Sequence, residues 1–273
     1  MNLEEENITY IIREKTLQPK SENTTKEVKL WKQSFTKNTT DKGGAKNKVF
    51  NELINGNVFI RIQNSGKGQL WGQMKPDELL KLIETDKGVY EIITFPCKVF
   101  FDIDLEKDKF ITEELHIFEK YREKPVLFLS NVKKTTSRFF PHESDYAISG
   151  SIAIDKISYH IVLNNYVIEN KDQYNTLNYL VQHIHSDIDN SFDKKIYTTH
   201  RYMKCINQSK QNEPIRRIQQ PVLNDDPKKH IITAFLPTEF VPFPDFKHEI
   251  HEPIMLEKST KHFDMGIKNT IQF

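Results

Sequence analysis

Two segments of the sequence, residues 98–105 and 157–163, alternate apolar and polar side chains with a period of two. This alternation is the pattern of a β-strand that is buried on one face only. In the first segment Asp102 and Asp104 share a face, because alternate side chains of a strand point the same way. The second strand, continued back to residue 156, carries three polar residues on one face: Lys156, Ser158 and His160. The chain is therefore predicted to contain a sheet with one apolar and one polar face.

The rest of the chain mixes helical and strand-like periodicities, which predicts an α+β fold. Helices are expected at 48–54, from Pro76 onward, at 113–122 and at 172–188. Further strands are expected at 57–63, 90–93, 145–154, 197–206 and 230–235, with 145–154 and 157–163 forming a hairpin. Three parts are predicted: a partly flexible N-terminal arm at 1–48, a folded domain with two lobes around one cleft at 49–240, and a C-terminal tail or linker at 241–273.

Composition restricts the class of protein further. The two cysteines, Cys97 and Cys205, are too few for a disulfide framework, and no Cys/His cluster has the spacing of a zinc site. No apolar run reaches the roughly 20 residues that span a bilayer, and the acidic start differs from a signal peptide. We therefore expect a soluble, intracellular protein without structural zinc and without membrane contact.

The acidic pair Asp102 and Asp104 predicts a metal site. Two carboxylates on one strand face supply the oxygen ligands that Mg²⁺ and Mn²⁺ prefer, and two such ions roughly 3.5–4 Å apart serve phosphoryl-transfer reactions. The pattern has alternatives, because nucleases and glycosyltransferases also use paired acids and two acids on an edge strand can be merely solvated. The pair alone does not decide between these interpretations.

A third polar segment, residues 193–210, places one acid before a series of cations. Asp193 is followed by Arg201, Lys204 and Lys210, which could grip a triphosphate or a nucleic-acid backbone. The alternative is a basic edge strand and loop without a ligand. The net charge of the whole chain, +1, gives no general sign of nucleic-acid binding, so the local charge has to carry that inference.

Taken in order, the three segments resemble the archaeo-eukaryotic primase superfamily, especially the eukaryotic primase-polymerases (PrimPol) and the primases of large DNA viruses. The similarity covers about residues 90–240. It is carried by Tyr90-Glu91-Ile92-Ile93 before Val99-Phe100-Phe101-Asp102-Ile103-Asp104, by Lys156-Ile157-Ser158-Tyr159-His160, and by the segment from Asp193 through Arg201 to Gln208-Ser209-Lys210. The resemblance implies an RRM-like, mixed and largely antiparallel catalytic sheet with a smaller N-terminal α/β lobe.

The resemblance also implies roles for individual residues. Three acids would hold two Mg²⁺ or Mn²⁺ ions: Asp102, Asp104 and Asp193. The residues that would contact the incoming nucleotide are Lys156, Ser158, His160, Arg201, Lys204, Ser209 and Lys210. Lys204 stands where the family often has arginine. His200 replaces a residue that is usually polar, and we assign it no role. Cys97 is expected to serve packing alone.

The expected function is joining of NTP or dNTP to a 3′-hydroxyl on a single-stranded DNA template. Eukaryotic PrimPol-type enzymes carry a zinc module beyond the catalytic region, and this sequence has neither that module nor a phosphate-binding loop of the helicase type. A helicase or a zinc-bearing primase subunit on another chain is therefore an expected partner, and the nucleus, the cytoplasm or a viral replication site the expected location. The alternative is a catalytically weak or inactive primase fold that serves as a nucleic-acid-binding scaffold.

Overall fold

The computed structural model of the chain describes residues 35–37, 55–64, 68–142, 145–197, 201–211, 217–244 and 246. These residues form two antiparallel sheets and several α-helices, so the predicted α+β class is confirmed. Most of the predicted arm, the helix expected at 48–54 and most of the predicted tail lie outside the described residues. Within the described part of the chain, no helix combines the length and the apolar character needed to traverse a membrane.

The first sheet has five strands: β1 (Phe35–Lys37), β2 (Val58–Asn64), β3 (Gly68–Met74), β4 (Val89–Ile92) and β8 (Tyr202–Lys204). Their spatial order is β1-β3-β2-β4-β8, and every pairing is antiparallel. Helix α1 (Pro76–Leu82) begins at the predicted proline and packs Leu79 and Leu82 into one core cluster with the apolar side chains of β2. One face of the sheet therefore packs on α1, and the other carries a second buried cluster of Phe59, Trp71 and Ile92.

The second sheet has four strands: β5 (Cys97–Glu106), β6 (Tyr146–Ile152), β7 (Lys156–Ile168) and β9 (Gln220–Leu223), in the order β5-β7-β6-β9. The hairpin of β6 and β7 is the one that the sequence predicts. Three longer helices accompany this sheet: α2 (Leu115–Glu123), α3 (Pro125–Thr136) and α4 (Lys171–Ile184). A short helix, α5 (Pro227–His230), follows β9. Phe128 of α3 stacks on Tyr159 of β7 with ring centroids 5.9 Å apart, which ties α3 to the apolar face of this sheet.

Two predicted strands differ from the structure. The segment 197–206 does not form one strand, because residues 194–197 form a 3₁₀ turn and β8 covers only three residues. Residues 231–235 form no strand either, since two of their N–H groups donate to the carboxylate of Glu91 instead of a neighbouring strand. Five of these elements were not predicted from the sequence: β1, β3, β9, α3 and α5.

Two buried titratable side chains, Glu91 and Lys98, lie where the two sheets meet. Glu91 of β4 is 1% exposed and accepts hydrogen bonds from the N–H groups of Ile232 and Thr233 at 2.9–3.0 Å. Lys98 of β5 is 2% exposed, and its Nζ donates to the carbonyl of Lys228 at 2.9 Å. Burial raises the pKa of Glu91 and lowers the pKa of Lys98 to about 8, each opposed by the charge of the other. One polar network thus joins both sheets to the chain around α5.

Gly150 on β6 lies opposite Tyr159 and is expected to tolerate no side chain. A Cβ atom at this position would lie 2.5 Å from a ring carbon of Tyr159, which is fully buried and stacked on Phe128. We expect Gly150→Ala to lower the free energy of unfolding by about 1–3 kcal/mol through overpacking, measured by urea denaturation. Ile152→Thr, at an exposed position of the same strand, is the control. An unchanged midpoint for Gly150→Ala would contradict the assigned packing.

Candidate active site

The polar face of the second sheet is built by register. Asp102 lies directly opposite His160, Asp104 opposite Ser158 and Glu106 opposite Lys156. Directly opposed residues of an antiparallel pair share a face with Cβ atoms about 4.5–5.5 Å apart. The alternation recognised in the sequence therefore produces three polar rows that run across β5 and β7, with an acid on β5 in every row.

Asp193 reaches the same face through a short extension of the sheet. Ile103 pairs with Phe192 in an antiparallel bridge, so that Asp193 lies beside Asp102 on the free side of β5. The N–H of Asp193 donates to the carbonyl of Asp102 at 2.9 Å, and the N–H of Asp104 donates to the carbonyl of Ser191 at 2.8 Å. The backbone, and not a flexible loop, thus brings the third predicted acid to the pair.

A turn of two residues in the left-handed region directs the chain back to β5. Asp189 and Asn190 have φ values of 46° and 55°, and Asp and Asn are among the non-glycine residues that adopt this region most readily. The hydroxyl of Tyr121 on α2 donates to the carboxylate of Asp189 at 2.7 Å and fixes the turn. The turn places Ser191 at the start of the bridge.

The polar face of the second sheet and Asp193 line one cleft of about 300 Å³ between the two sheets. Nine of the ten predicted site residues contribute to its lining: Asp102, Asp104, Asp193, Lys156, Ser158, His160, Arg201, Lys204 and Lys210. The residues that sequence reasoning missed include Tyr90, Ser151, Lys195, Tyr202 and Arg217. Ser151 lies opposite Ser158 on β6 and could have been found by extending the same register across the hairpin. Tyr90 and Tyr202 belong to the first sheet, Lys195 lies in a turn after Asp193 and Arg217 precedes β9, so no shared periodicity marks these four residues.

Ser209 is the predicted site residue that the structure keeps out of the cleft. Its hydroxyl and its N–H both donate to the carboxylate of Asp86, the latter at 2.8 Å. The preceding Gln208 is fully buried, and its amide bonds backbone groups of the loop before β4, including the N–H of Lys87 and the carbonyl of Ile83. The proposed contact of Ser209 with nucleotide is therefore not supported. The pair instead anchors the chain from which Lys210 reaches the cleft.

The electrostatics of the cleft centre on Asp102. Burial and the neighbouring carboxylates of Asp104 and Asp193 raise the pKa of Asp102 well above its ordinary value. His160 Nε2 lies 3.5 Å from Asp102 Oδ1. Burial and the cation of Lys204 lower the pKa of His160 well below its ordinary value, so the ring is neutral at physiological pH. A cation bound beside Asp102 offsets the repulsion from Asp104 and Asp193. The crowding of the three carboxylates therefore favours cation binding.

Lys156 neutralises the outer end of the acidic rows. Its Nζ lies 2.7 Å from Asp104 Oδ2 and 3.1 Å from Glu106 Oε1. Burial opposes the charge of Lys156, but the two carboxylates outweigh it and raise the pKa of the ammonium. The side chain of Lys109 donates to Glu106, and despite partial burial this contact together with Lys156 lowers the pKa of Glu106 to about 2. Glu106 and Lys156 are therefore both charged at physiological pH.

The fit of a metal ion follows from the donor set. Asp102, Asp104 and Asp193 offer carboxylate oxygens, which suit Mg²⁺ and Mn²⁺. Among the described residues, however, no three Asp, Glu, His or Cys side chains are grouped closely enough to hold an ion as they stand. Asp104 bonds Lys156, and Asp193 Oδ1 accepts the N–H of Lys195 at 3.0 Å. The residue types fit a hard divalent cation, and binding one requires small rotations of these side chains.

The opposite wall of the cleft is aromatic. Tyr90 and Tyr202 of the first sheet stand edge to face with ring centroids 5.4 Å apart. The guanidinium of Arg61, itself 5% exposed, lies 4.8 Å from the centroid of Tyr90 and 4.0 Å from that of Tyr202. The cleft thus offers acids and Lys156 on the wall of the second sheet, and flat rings beside Lys204 on the wall of the first. This arrangement can hold a polyanion beside a planar group.

No model of a protein family matches the chain, and no curated protein matches it either.

Proposed function

We propose that this chain is a DNA-directed nucleotidyltransferase of the primase or primase-polymerase kind, a member of the archaeo-eukaryotic primase superfamily that its motifs resemble. One observation carries the proposal: three acids and six cations from distant parts of the sequence line the same cleft. The acids are Asp102, Asp104 and Asp193, and the cations are those of Lys156, Lys195, Arg201, Lys204, Lys210 and Arg217. A phosphoryl-transfer site needs both sets, because it binds divalent cations and a triphosphate together.

The proposed mechanism assigns the residues by charge and position. Asp102, Asp104 and Asp193 hold two Mg²⁺ or Mn²⁺ ions, which supply a lowered pKa for the attacking 3′-hydroxyl and neutralisation of the leaving pyrophosphate. Four basic side chains bind the triphosphate: Lys156, Arg201, Lys204 and Lys210. His160, being neutral, binds a phosphate oxygen through a ring N–H without adding charge beside Asp102. Ser158, in the same row as Asp104, donates its hydroxyl to the same group.

The partners follow from this chemistry. A single-stranded DNA template with its primer and an NTP or dNTP are the substrates, and a helicase or a zinc-bearing primase subunit would come from another chain. In the scaffold alternative, the chain binds single-stranded DNA but does not catalyse nucleotide incorporation. It has one observation in its favour, since two of the three acids bond side-chain or backbone donors of the chain itself.

The test is nucleotide incorporation on single-stranded DNA, unprimed and primed, with labelled NTP and dNTP in Mg²⁺ and in Mn²⁺. We expect template-dependent addition by the wild type and none by Asp102→Ala/Asp104→Ala. The matched control is Asp108→Ala/Asp225→Ala, which removes two exposed acids outside the cleft. Strand binding without incorporation would support the scaffold alternative. Primer degradation would point to a nuclease and sugar-nucleotide turnover to a glycosyltransferase.

A further inference from the structure

The third acid of β5, Glu106, has no part in the proposed metal site, yet it continues the row of acids toward solvent. It shares the polar face with Asp102 and Asp104, because the three residues alternate along one strand. Its strand neighbour is Lys156, and Glu106 Oε1 lies 3.1 Å from Lys156 Nζ. The other carboxylate oxygen, Oε2, lies 2.7 Å from Nζ of Lys109. Glu106 therefore joins a cleft lysine to a cation outside the cleft.

Lys156 has two anionic partners, Asp104 and Glu106, and only Asp104 belongs to the proposed metal site. Its ammonium has three N–H donors, and the contacts to Asp104 and Glu106 use two of them. A divalent cation at Asp104 competes with Lys156 for the same carboxylate. Without another partner, the flexible lysine side chain would then lose its fixed position. Glu106 is the partner that remains when Asp104 turns to a metal ion.

We infer that Glu106 is a positioning residue, which holds the Lys156 ammonium at the edge of the cleft so that a free N–H points to the triphosphate of the incoming nucleotide. The inference rests on the proposed function, because it assumes a triphosphate bound beside Lys156. Lys109 keeps the second oxygen of Glu106 occupied and so fixes the direction of the first. The chain thus carries a third functional residue on β5, and this one does not touch the substrate.

The effect of Glu106→Gln should be on binding rather than on the chemical step. We expect a roughly tenfold higher Kd for a triphosphate, the equivalent of one lost charge-assisted contact, and a similar rise in KM with little change in kcat. Glu106→Asp, which keeps the charge, should recover part of the loss. The matched control is Glu119→Gln, since Glu119 also bonds two cations, Lys107 and Arg122, but neither of these cations lines the cleft.

A double-mutant cycle shows whether Glu106 acts through Lys156. Kd values for NTP and for inorganic tripolyphosphate, each with Mn²⁺, are measured by calorimetry for wild type, Glu106→Gln, Lys156→Ala and the double variant. We expect Glu106→Gln to have no further effect once Lys156 is gone. Additive effects, or an unchanged Kd in Glu106→Gln, overturn the inference, and a thermal midpoint for each variant separates misfolding from lost positioning.

The same measurements separate this inference from the proposed function. A wild type that binds triphosphate without incorporating nucleotide, with binding weakened in Glu106→Gln, supports the positioning role and contradicts the proposed catalysis. A wild type that incorporates nucleotide with the same KM as Glu106→Gln contradicts the positioning role alone. A wild type with no affinity for NTP or tripolyphosphate contradicts both.

Discussion

Replacing Asp102 by asparagine is expected to stabilise the protein in the absence of divalent cations and to reduce nucleotide incorporation by about three orders of magnitude or more. The variant keeps the shape of the side chain but removes a buried charge that lies beside two other carboxylates. We expect an increase of about 1–2 kcal/mol in the free energy of unfolding, or several degrees in the thermal midpoint. The loss of activity follows from the loss of a metal ligand, which contributes several kcal/mol to the transition state.

The pH dependence of this stabilisation has a definite sign. The pKa of Asp102 is raised in the folded state, so the folded protein binds this proton more tightly than the unfolded chain does. The resulting stability is complete below the ordinary pKa near 3.8 and is lost as the pH rises through the folded-state pKa. The difference between Asp102→Asn and wild type should therefore be largest at neutral pH and should shrink in acid.

Thermal unfolding with and without Mn²⁺ completes the test. Mn²⁺ should raise the midpoint of the wild type, because a ligand that binds only the folded state stabilises it. It should have a much smaller effect on Asp102→Asn. Asp108→Asn changes an exposed acid that follows the same strand and serves as the control. A less stable Asp102→Asn, or an equal response of both proteins to Mn²⁺, would contradict the metal-site assignment.

The largest loss of stability is expected for Glu91→Ala. The substitution leaves the N–H groups of Ile232 and Thr233 without their acceptor and removes the largest of the negative charges that favour the Lys98 ammonium. Leaving a buried donor without its acceptor costs about 1–3 kcal/mol, so two such donors correspond to a fall on the order of 10 °C in the thermal midpoint. Glu91→Gln, which keeps one acceptor oxygen, should lose less.

Urea denaturation measures this loss, and Glu84→Ala is the matched control because Glu84 is exposed and precedes the same strand. A Glu91→Ala variant as stable as Glu84→Ala would show that the network does not hold the sheets together. Activity should fall only in proportion to unfolded protein, since Glu91 does not line the cleft.

The strands that bear the site could be predicted because their periodicity is visible in the sequence. Asp102, Asp104, Ser158 and His160 follow the period of two, and the structure pairs the two strands as opposed rows. Asp193 had the right residue type, but its position depends on the bridge between Ile103 and Phe192, a long-range pairing of single residues. Such a pairing leaves no local pattern.

Local side-chain bonds explain where the sequence misled. The carboxylate of Asp193 accepts the N–H of Lys195 and favours a turn that ends at Tyr197, the first residue of the predicted strand. The hydroxyl of Tyr197 donates to the carbonyl of Phe100 at 3.2 Å and holds that turn against β5. Ser209 is a residue type that often binds phosphate, but its N–H donates to the carboxylate of Asp86, which is distant in sequence.

The bridge between Ile103 and Phe192 has a consequence for how such a chain can vary. The spacing of Asp102 and Asp193 is fixed by the distance between hydrogen-bonded neighbours in a sheet, and not by the length of chain that connects them. Helices α2, α3 and α4 all lie in that connection. Insertions or deletions in their surface loops can therefore lengthen or shorten the polypeptide between the acids without changing the distance across which they act.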